Sequence, residues 1–91
     1  MKIVKISSLG CPSCIMMNKI FNQLKEEYDF EIEELDYDFD ALEKYNPGVI
    51  MPEYIFFKDG KEIKRLVGEH KKEEFIEILE SEKWKKYYML Y

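Results

Sequence analysis

Lys2-Ile3-Val4-Lys5-Ile6-Ser7-Ser8-Leu9-Gly10-Cys11-Pro12-Ser13-Cys14 begins as an apolar, β-branched run, stops at two serines and meets a cysteine pair. Residues 2–7 read as a short strand ended by that serine turn signal. From Pro12 onward Ile15, Met16, Ile20, Phe21, Leu24 and Tyr28 recur every three or four residues, the spacing of one helix face. Pro12 suits the first helical turn, where a missing N–H costs nothing. The cysteines therefore fall at the join of a strand and a helix. A pair at that spacing opens and closes a disulfide with little backbone movement, which suits electron exchange between thiols and disulfides. The chain has no other cysteine.

Outward from that segment, Phe30 to Asp36 reads as a second strand with imperfect alternation. A strand–helix–strand unit pairs it parallel to the first strand through a right-handed crossover. Asp40 is placed to cap a short helix over Ala41 to Tyr45, which Asn46-Pro47-Gly48 then stops. Tyr54 to Lys58 and Lys61 to Val67 flank Asp59-Gly60, the strongest short turn signal in the chain, and predict a hairpin. Gly68 gives room to turn before a last helix from Lys72 to about Lys83, with Phe75, Ile76, Ile78 and Leu79 inward. The order β-α-β-α-β-β-α predicts an α/β fold, a four-stranded mixed sheet with helices on both faces.

At 91 residues the chain reads as one domain with a modest core. With 19 acidic against 14 basic side chains its net charge is −5, which argues against a nucleic-acid surface. No apolar run approaches the ~20 residues that span a bilayer. Met1 to Ile6 lacks the apolar core and cleavage site of a secretory signal, so a cytoplasmic location is expected. In that compartment structural disulfides are uncommon, and a close cysteine pair is more often catalytic or metal-binding than a staple.

With this order in hand, the chain resembles a small thioredoxin from Lys2 to Ser81. The resemblance rests on Cys11-Pro12-Ser13-Cys14 after the first strand, and on Pro52 directly before Glu53-Tyr54-Ile55-Phe56-Phe57. It rests equally on the hairpin Phe57-Lys58-Asp59-Gly60-Lys61 and on Val67-Gly68 ahead of the last helix. It implies a thioredoxin fold over residues 1–83, with 84–91 as an aromatic extension. Some positions depart from the usual Trp-Cys-Gly-Pro-Cys of the family. Gly10 precedes Cys11, and Pro-Ser fills the gap in an order closer to glutaredoxins, yet the glutathione-binding Gly-Gly of glutaredoxins is missing. Glu53 stands where thioredoxins often carry Thr.

On this reading Cys11 is the nucleophile. Disulfide exchange needs a thiolate, a free thiol titrates near ~8.5, and the amino end of a helix favours the anion. Cys14, one turn deeper, is the resolving thiol. The resemblance implies that the Pro52 peptide bond is cis and lies against the cysteines, and that the Met51 backbone pairs with an extended substrate segment. An apolar surface of Leu9, Pro12, Ile50, Met51 and Gly68 would add weak contact. Thioredoxins often bury an aspartate six residues before the first cysteine, beside a lysine on the neighbouring strand. The matching positions here are Lys5 and Glu34, so an ion pair with the charges exchanged is expected beneath the disulfide, with Lys5 lowering the pKa of Cys14 or Cys11. The expected activity is reduction of disulfide-bearing proteins by a monomer, with no cofactor or metal beyond the redox-active Cys11–Cys14 pair. A thioredoxin-reductase-like or glutathione-linked reductant would recharge it.

Other readings stay open. A glutaredoxin-like enzyme would use glutathione, and a thioredoxin-fold binding module would keep the pair without turnover. The cysteines also match half of a metal site, with His70 as a further donor. Otherwise His70 reads as a solvated residue before the last helix, Glu31 to Asp40 as solvated surface, and Met16-Met17 as core filler. The end, Trp84-Lys85-Lys86-Tyr87-Tyr88-Met89-Leu90-Tyr91, reads first as a continuation of the last helix with Trp84, Tyr87, Tyr88 and Tyr91 against the sheet edge. A docking peptide and a contact with a membrane surface are the alternatives.

Overall fold

β1 (Lys2–Ser7) is the strand around which everything else is arranged, and Ile3 to Ile6 are all buried within it. In the computed structural model, which describes residues 1–89 and side chains as far as Ser81, β1 is followed by α1 (Pro12–Glu27) and β2 (Glu31–Asp36). A single 3-10 turn (Glu43–Tyr45), β3 (Glu53–Lys58), β4 (Lys61–Val67) and α2 (Lys72–Met89) complete the order. The sheet runs β2-β1-β3-β4. β1 lies parallel to β2 and antiparallel to β3, and β3 pairs antiparallel with β4. The four-stranded mixed sheet is the one the sequence predicts.

Alternation along β1 divides the core in two. Ile3 joins Met17, Phe21 and Leu24 of α1 with Tyr54, Phe56, Phe75 and Leu79. Val4 and Ile6 belong to a second cluster with Cys14, Leu42, Tyr45, Met51 and Ile55. Both α-helices therefore pack on one face, where the Phe75 ring meets Tyr54 edge-on at 4.9 Å and the Tyr28 hydroxyl donates to Glu80 at 2.6 Å. The opposite face is closed by the β2–β3 connection instead of an α-helix.

The helix expected over Ala41–Tyr45 is thus reduced to one 3-10 turn. Asp40 does not cap it, because its carboxylate accepts the Asp36 N–H at 2.7 Å. Leu42 takes the cap position without a side-chain bond, and Asn46 ends the turn in the left-handed region at φ 46°. In α1 the buried residues are Cys14, Met17, Phe21 and Leu24. Ile15 is 69% exposed and Met16 49%, so Met17 alone of the methionine pair fills the core. The β3–β4 hairpin turns on Asp59 and Gly60, both at positive φ (52° and 77°), as a two-residue turn with right-handed strand twist requires. A bulge after Phe56 places Lys64 opposite Phe56 and Glu62 opposite Phe57, which leaves Ile63 outside the pairing. The expected aromatic stripe of Trp84, Tyr87, Tyr88 and Tyr91 lies outside the described side chains.

Candidate active site

Four segments converge at the end of the sheet where β1 stops and β3 starts. Cys11 is the N-cap of α1, in extended conformation (φ −96°, ψ 105°), with Pro12 in the first turn. Its sulfur accepts the Cys14 backbone N–H at 3.2 Å, and its carbonyl accepts the Ile15 N–H at 3.2 Å. The sulfur thus occupies the place of a capping oxygen, in the field of unpaired helix N–H groups. Cys11 and Cys14 form a disulfide with 5.2 Å between their Cα atoms, inside the range that needs no backbone adjustment. Cys14 is 5% exposed and packs with Val4 and Ile6, while Cys11 is half-buried.

The start of β3 faces this pair. The Met51–Pro52 peptide bond is cis, and the Met51 carbonyl oxygen lies 3.8 Å from Cys11 Sγ. Behind it the Pro52 carbonyl accepts the Gly68 N–H at 2.8 Å. Gly68 sits at φ +82°, and a Cβ there would stand 3.4 Å from Ile50 Cγ2. The positive φ calls for glycine, while the Ile50 contact is of ordinary van der Waals length. Of the apolar surface expected here, Leu9, Pro12 and Ile50 are exposed, whereas Met51 and Gly68 are buried. Those two can meet a substrate only through main chain. Val49, next to Ile50 and 82% exposed, extends the apolar rim in their place.

The residues flanking the pair are acidic. Ser13, between the cysteines, donates its hydroxyl to Glu69, and the Leu9 N–H donates to Asp38 at 3.4 Å.

Lys5 and Glu34 are neighbours in the β1–β2 register. Lys5 Nζ lies 3.5 Å from Glu34 Oε1, with the lysine side chain 9% exposed and the glutamate 58%. The ammonium also donates to Asn18 Oδ1 and lies 5.3 Å from the centre of the Phe21 ring. Asn18 is four residues beyond Cys14 on α1, and residues so spaced stack on one helix face. The cation is thus bonded to the side chain one helical turn beyond the buried cysteine. Across the sheet Lys5 is paired with Tyr54, whose hydroxyl is buried without a partner among the described residues. Burial, with the charge of Glu34 in support, pushes the Tyr54 phenol well above its ordinary value.

Sequence reasoning missed several of these partners. Asn18 was findable, since its distance from Cys14 along α1 puts the two on one face. Ser13–Glu69 joins residues 56 apart in sequence, and no local pattern signals it. Glu53, whose buried carboxylate pairs with Arg65 at 2.6 Å, had a signal: a lone carboxylate directly ahead of Tyr54-Ile55-Phe56-Phe57.

The chain matches the thioredoxin family model over residues 1–81. No curated protein matched it by sequence. Among solved structures it is similar to the reduced thioredoxin pre-protein of Schistosoma mansoni, at 24% identity and TM-score 0.76, over 88% of this chain and 76% of that one. It is similar to a single-site mutant of the thioredoxin from Halobacterium salinarum, at 23% identity and TM-score 0.77, over 88% and 72% of the two chains. The thioredoxin NaTrxh of Nicotiana alata aligns at 28% identity and TM-score 0.76, over 88% and 70%. With the family match running from the first strand into the last helix, the chain belongs to the thioredoxin family.

Proposed function

We propose that this protein is a thiol–disulfide oxidoreductase that reduces disulfides in other proteins. The observation that carries the reading is the half-buried Cys11 sulfur, set at the amino end of α1 and 3.8 Å from the Met51 carbonyl. In the dithiol form the Cys11 thiolate attacks one sulfur of a substrate disulfide. That S–S bond breaks, one substrate sulfur leaves as a thiolate, and a mixed disulfide with Cys11 forms. Cys14 then gives up its proton and attacks Cys11 Sγ. The second substrate sulfur departs, the substrate has gained two electrons, and the Cys11–Cys14 bond holds the oxidising equivalents. A thioredoxin-reductase-like or glutathione-linked dithiol donor returns the pair to its reduced form.

Main-chain recognition at Met51 suits many protein substrates, because an extended segment pairs by backbone hydrogen bonds whatever its side chains. The exposed rim of Leu9, Val49 and Ile50 supports the same reading with apolar contact. The flanking carboxylates of Glu69 and Asp38 favour peptide over glutathione, which itself carries two carboxylates. The proposed setting is a monomer in the cytoplasm, where reductant is at hand.

Turbidimetric insulin reduction with dithiothreitol tests the reading. The wild-type protein accelerates precipitation and Cys11→Ser does not; equal rates for the two refute the assignment. The Cys11–Cys14 potential is expected between about −120 and −270 mV, the span of known thiol–disulfide catalysts, thioredoxin included. A value far below about −300 mV marks a structural bond in a binding module. Faster turnover of glutathione disulfide than of insulin points to the glutathione-dependent class.

A further inference from the structure

Glu53 follows Pro52 directly and is charged, yet its side chain is 1% exposed. Glutamate is almost never so buried without a partner. Here the partner is Arg65, diagonally across the β3–β4 pairing in which Glu53 stands opposite Val67, with Nη1 at 2.6 Å from Glu53 Oε2. The other carboxylate oxygen accepts the Gly48 N–H at 3.2 Å, and the same Arg65 Nη1 donates to the Asn46 carbonyl at 3.3 Å. On its far side the guanidinium is gripped by Glu62, Nε to Oε2 at 3.0 Å and Nη2 to Oε1 at 2.7 Å. That two-pronged contact fixes the plane of the fork.

The fastened segment carries the substrate face. Asn46 and Gly48 are its anchored end, exposed Val49 and Ile50 follow, and Met51 ends it beside Cys11. Its other end is held by the Pro52–Gly68 hydrogen bond. Between Tyr45 and Glu53 there is no helix or strand to stiffen it. Stability alone is a poor explanation for the ion pair, because a well-packed apolar pair of similar volume is often as stable. What a carboxylate and a guanidinium supply that an apolar pair does not is a set of directed bonds.

We propose that the Glu53–Arg65 pair is a positioning device for substrate: by tying Asn46 and Gly48 to β3 and β4 it holds the Met51 main chain in line with the Cys11 sulfur, and so sets affinity for extended polypeptide. The proposal rests on the disulfide-reductase reading above. It assigns the pair no part in the electron transfer, which stays with Cys11 and Cys14.

The test compares wild type with Glu53→Gln, which keeps an acceptor for Gly48 but removes the charge facing Arg65. A second variant combines Glu53→Leu with Arg65→Leu, so that no buried charge is orphaned and the fold is retained. Two quantities are read: KM for a disulfide-linked peptide, and the equilibrium constant of the Cys11–Cys14 pair against glutathione. Both variants are expected to raise KM about tenfold, within the range that small misplacements of substrate produce, with the equilibrium constant within twofold of wild type. An unchanged KM in the double variant overturns the proposal. So does a KM that rises only together with the equilibrium constant, since a general loosening of the fold would move both. Failure of the wild-type protein to reduce the peptide at all would instead sink the reductase reading.

Discussion

The Gly68 N–H donates to the Pro52 carbonyl at 2.8 Å, and this one bond ties the loop after β4 to the main chain beside the Cys11 sulfur. Gly68 is held at φ +82°, where an L side chain is strained whatever the space around it. Gly68→Ala is therefore expected to cost about 1–2 kcal/mol. For a domain of this size that lowers the melting temperature by roughly 4–8 °C per kcal/mol. Thermal denaturation followed by circular dichroism measures it. Insulin reduction should fall more steeply than the stability loss accounts for, because strain at residue 68 disturbs its bond to the Pro52 carbonyl beside the cysteines.

Lys5→Met keeps the aliphatic stem of the lysine and deletes its charge. Glu34 is 58% exposed and stays solvated when its partner goes, so stability should change by no more than about 1 kcal/mol. The thiols should respond in one direction. Removing the cation bonded to Asn18, the residue one helical turn beyond Cys14, should raise the pKa of the reduced pair. Thiolate absorbance near 240 nm against pH reports this, and identical titrations for both proteins would remove Lys5 from the site.

Tyr54 presents the converse case, a buried hydroxyl with no partner among the described residues. Its ring packs between Phe21 at 5.3 Å and Phe75 at 4.9 Å. Tyr54→Phe keeps those contacts and discards the unsatisfied group, whose burial costs about 1–3 kcal/mol. Urea denaturation should show the variant no less stable than wild type, and by this reasoning about 1 kcal/mol more stable. A clear loss of stability would reveal a hydrogen bond at this hydroxyl.

Tyr28 links α1 to α2 through its hydrogen bond to Glu80, which with some burial raises its phenol from 10.0 to about 12. A folded pKa above the unfolded one gives stability that is complete below pH 10 and is lost as pH rises through about 12. The difference between wild-type and Tyr28→Phe absorbance titrations at 295 nm isolates this residue. Its midpoint should fall toward the ordinary phenol value in Glu80→Gln.

The parts of the fold written locally were legible. β1 and the Asp59-Gly60 hairpin match the pattern because a short apolar run and a two-residue turn are decided by neighbours a few positions away. The β2–β3 connection was not, since Asp40 bonds backward to Asp36 instead of forward into a helix, and nothing in the residue types separates those choices. The outward rotation of Ile15 and Met16 was hidden for a related reason. Burial of Cys14 against β1 sets the phase of α1, and a small thiol carries little weight in an apolar pattern. In the site, the cysteine pair is signalled by its spacing and Pro52 by the resemblance to thioredoxins. The Glu53–Arg65 pair depends on strand pairing across the hairpin and becomes readable only with that register known.

Because the Cys11 sulfur also closes the first turn of α1 by accepting the Cys14 amide, charge on that atom and order in the helix are one event. A thiolate is a stronger acceptor than a disulfide sulfur. Each electron pair that arrives should tighten the first winding of the helix, and each that leaves should slacken it. Deuterium uptake at the Cys14 amide would then mark the oxidation state of the molecule from within its own backbone.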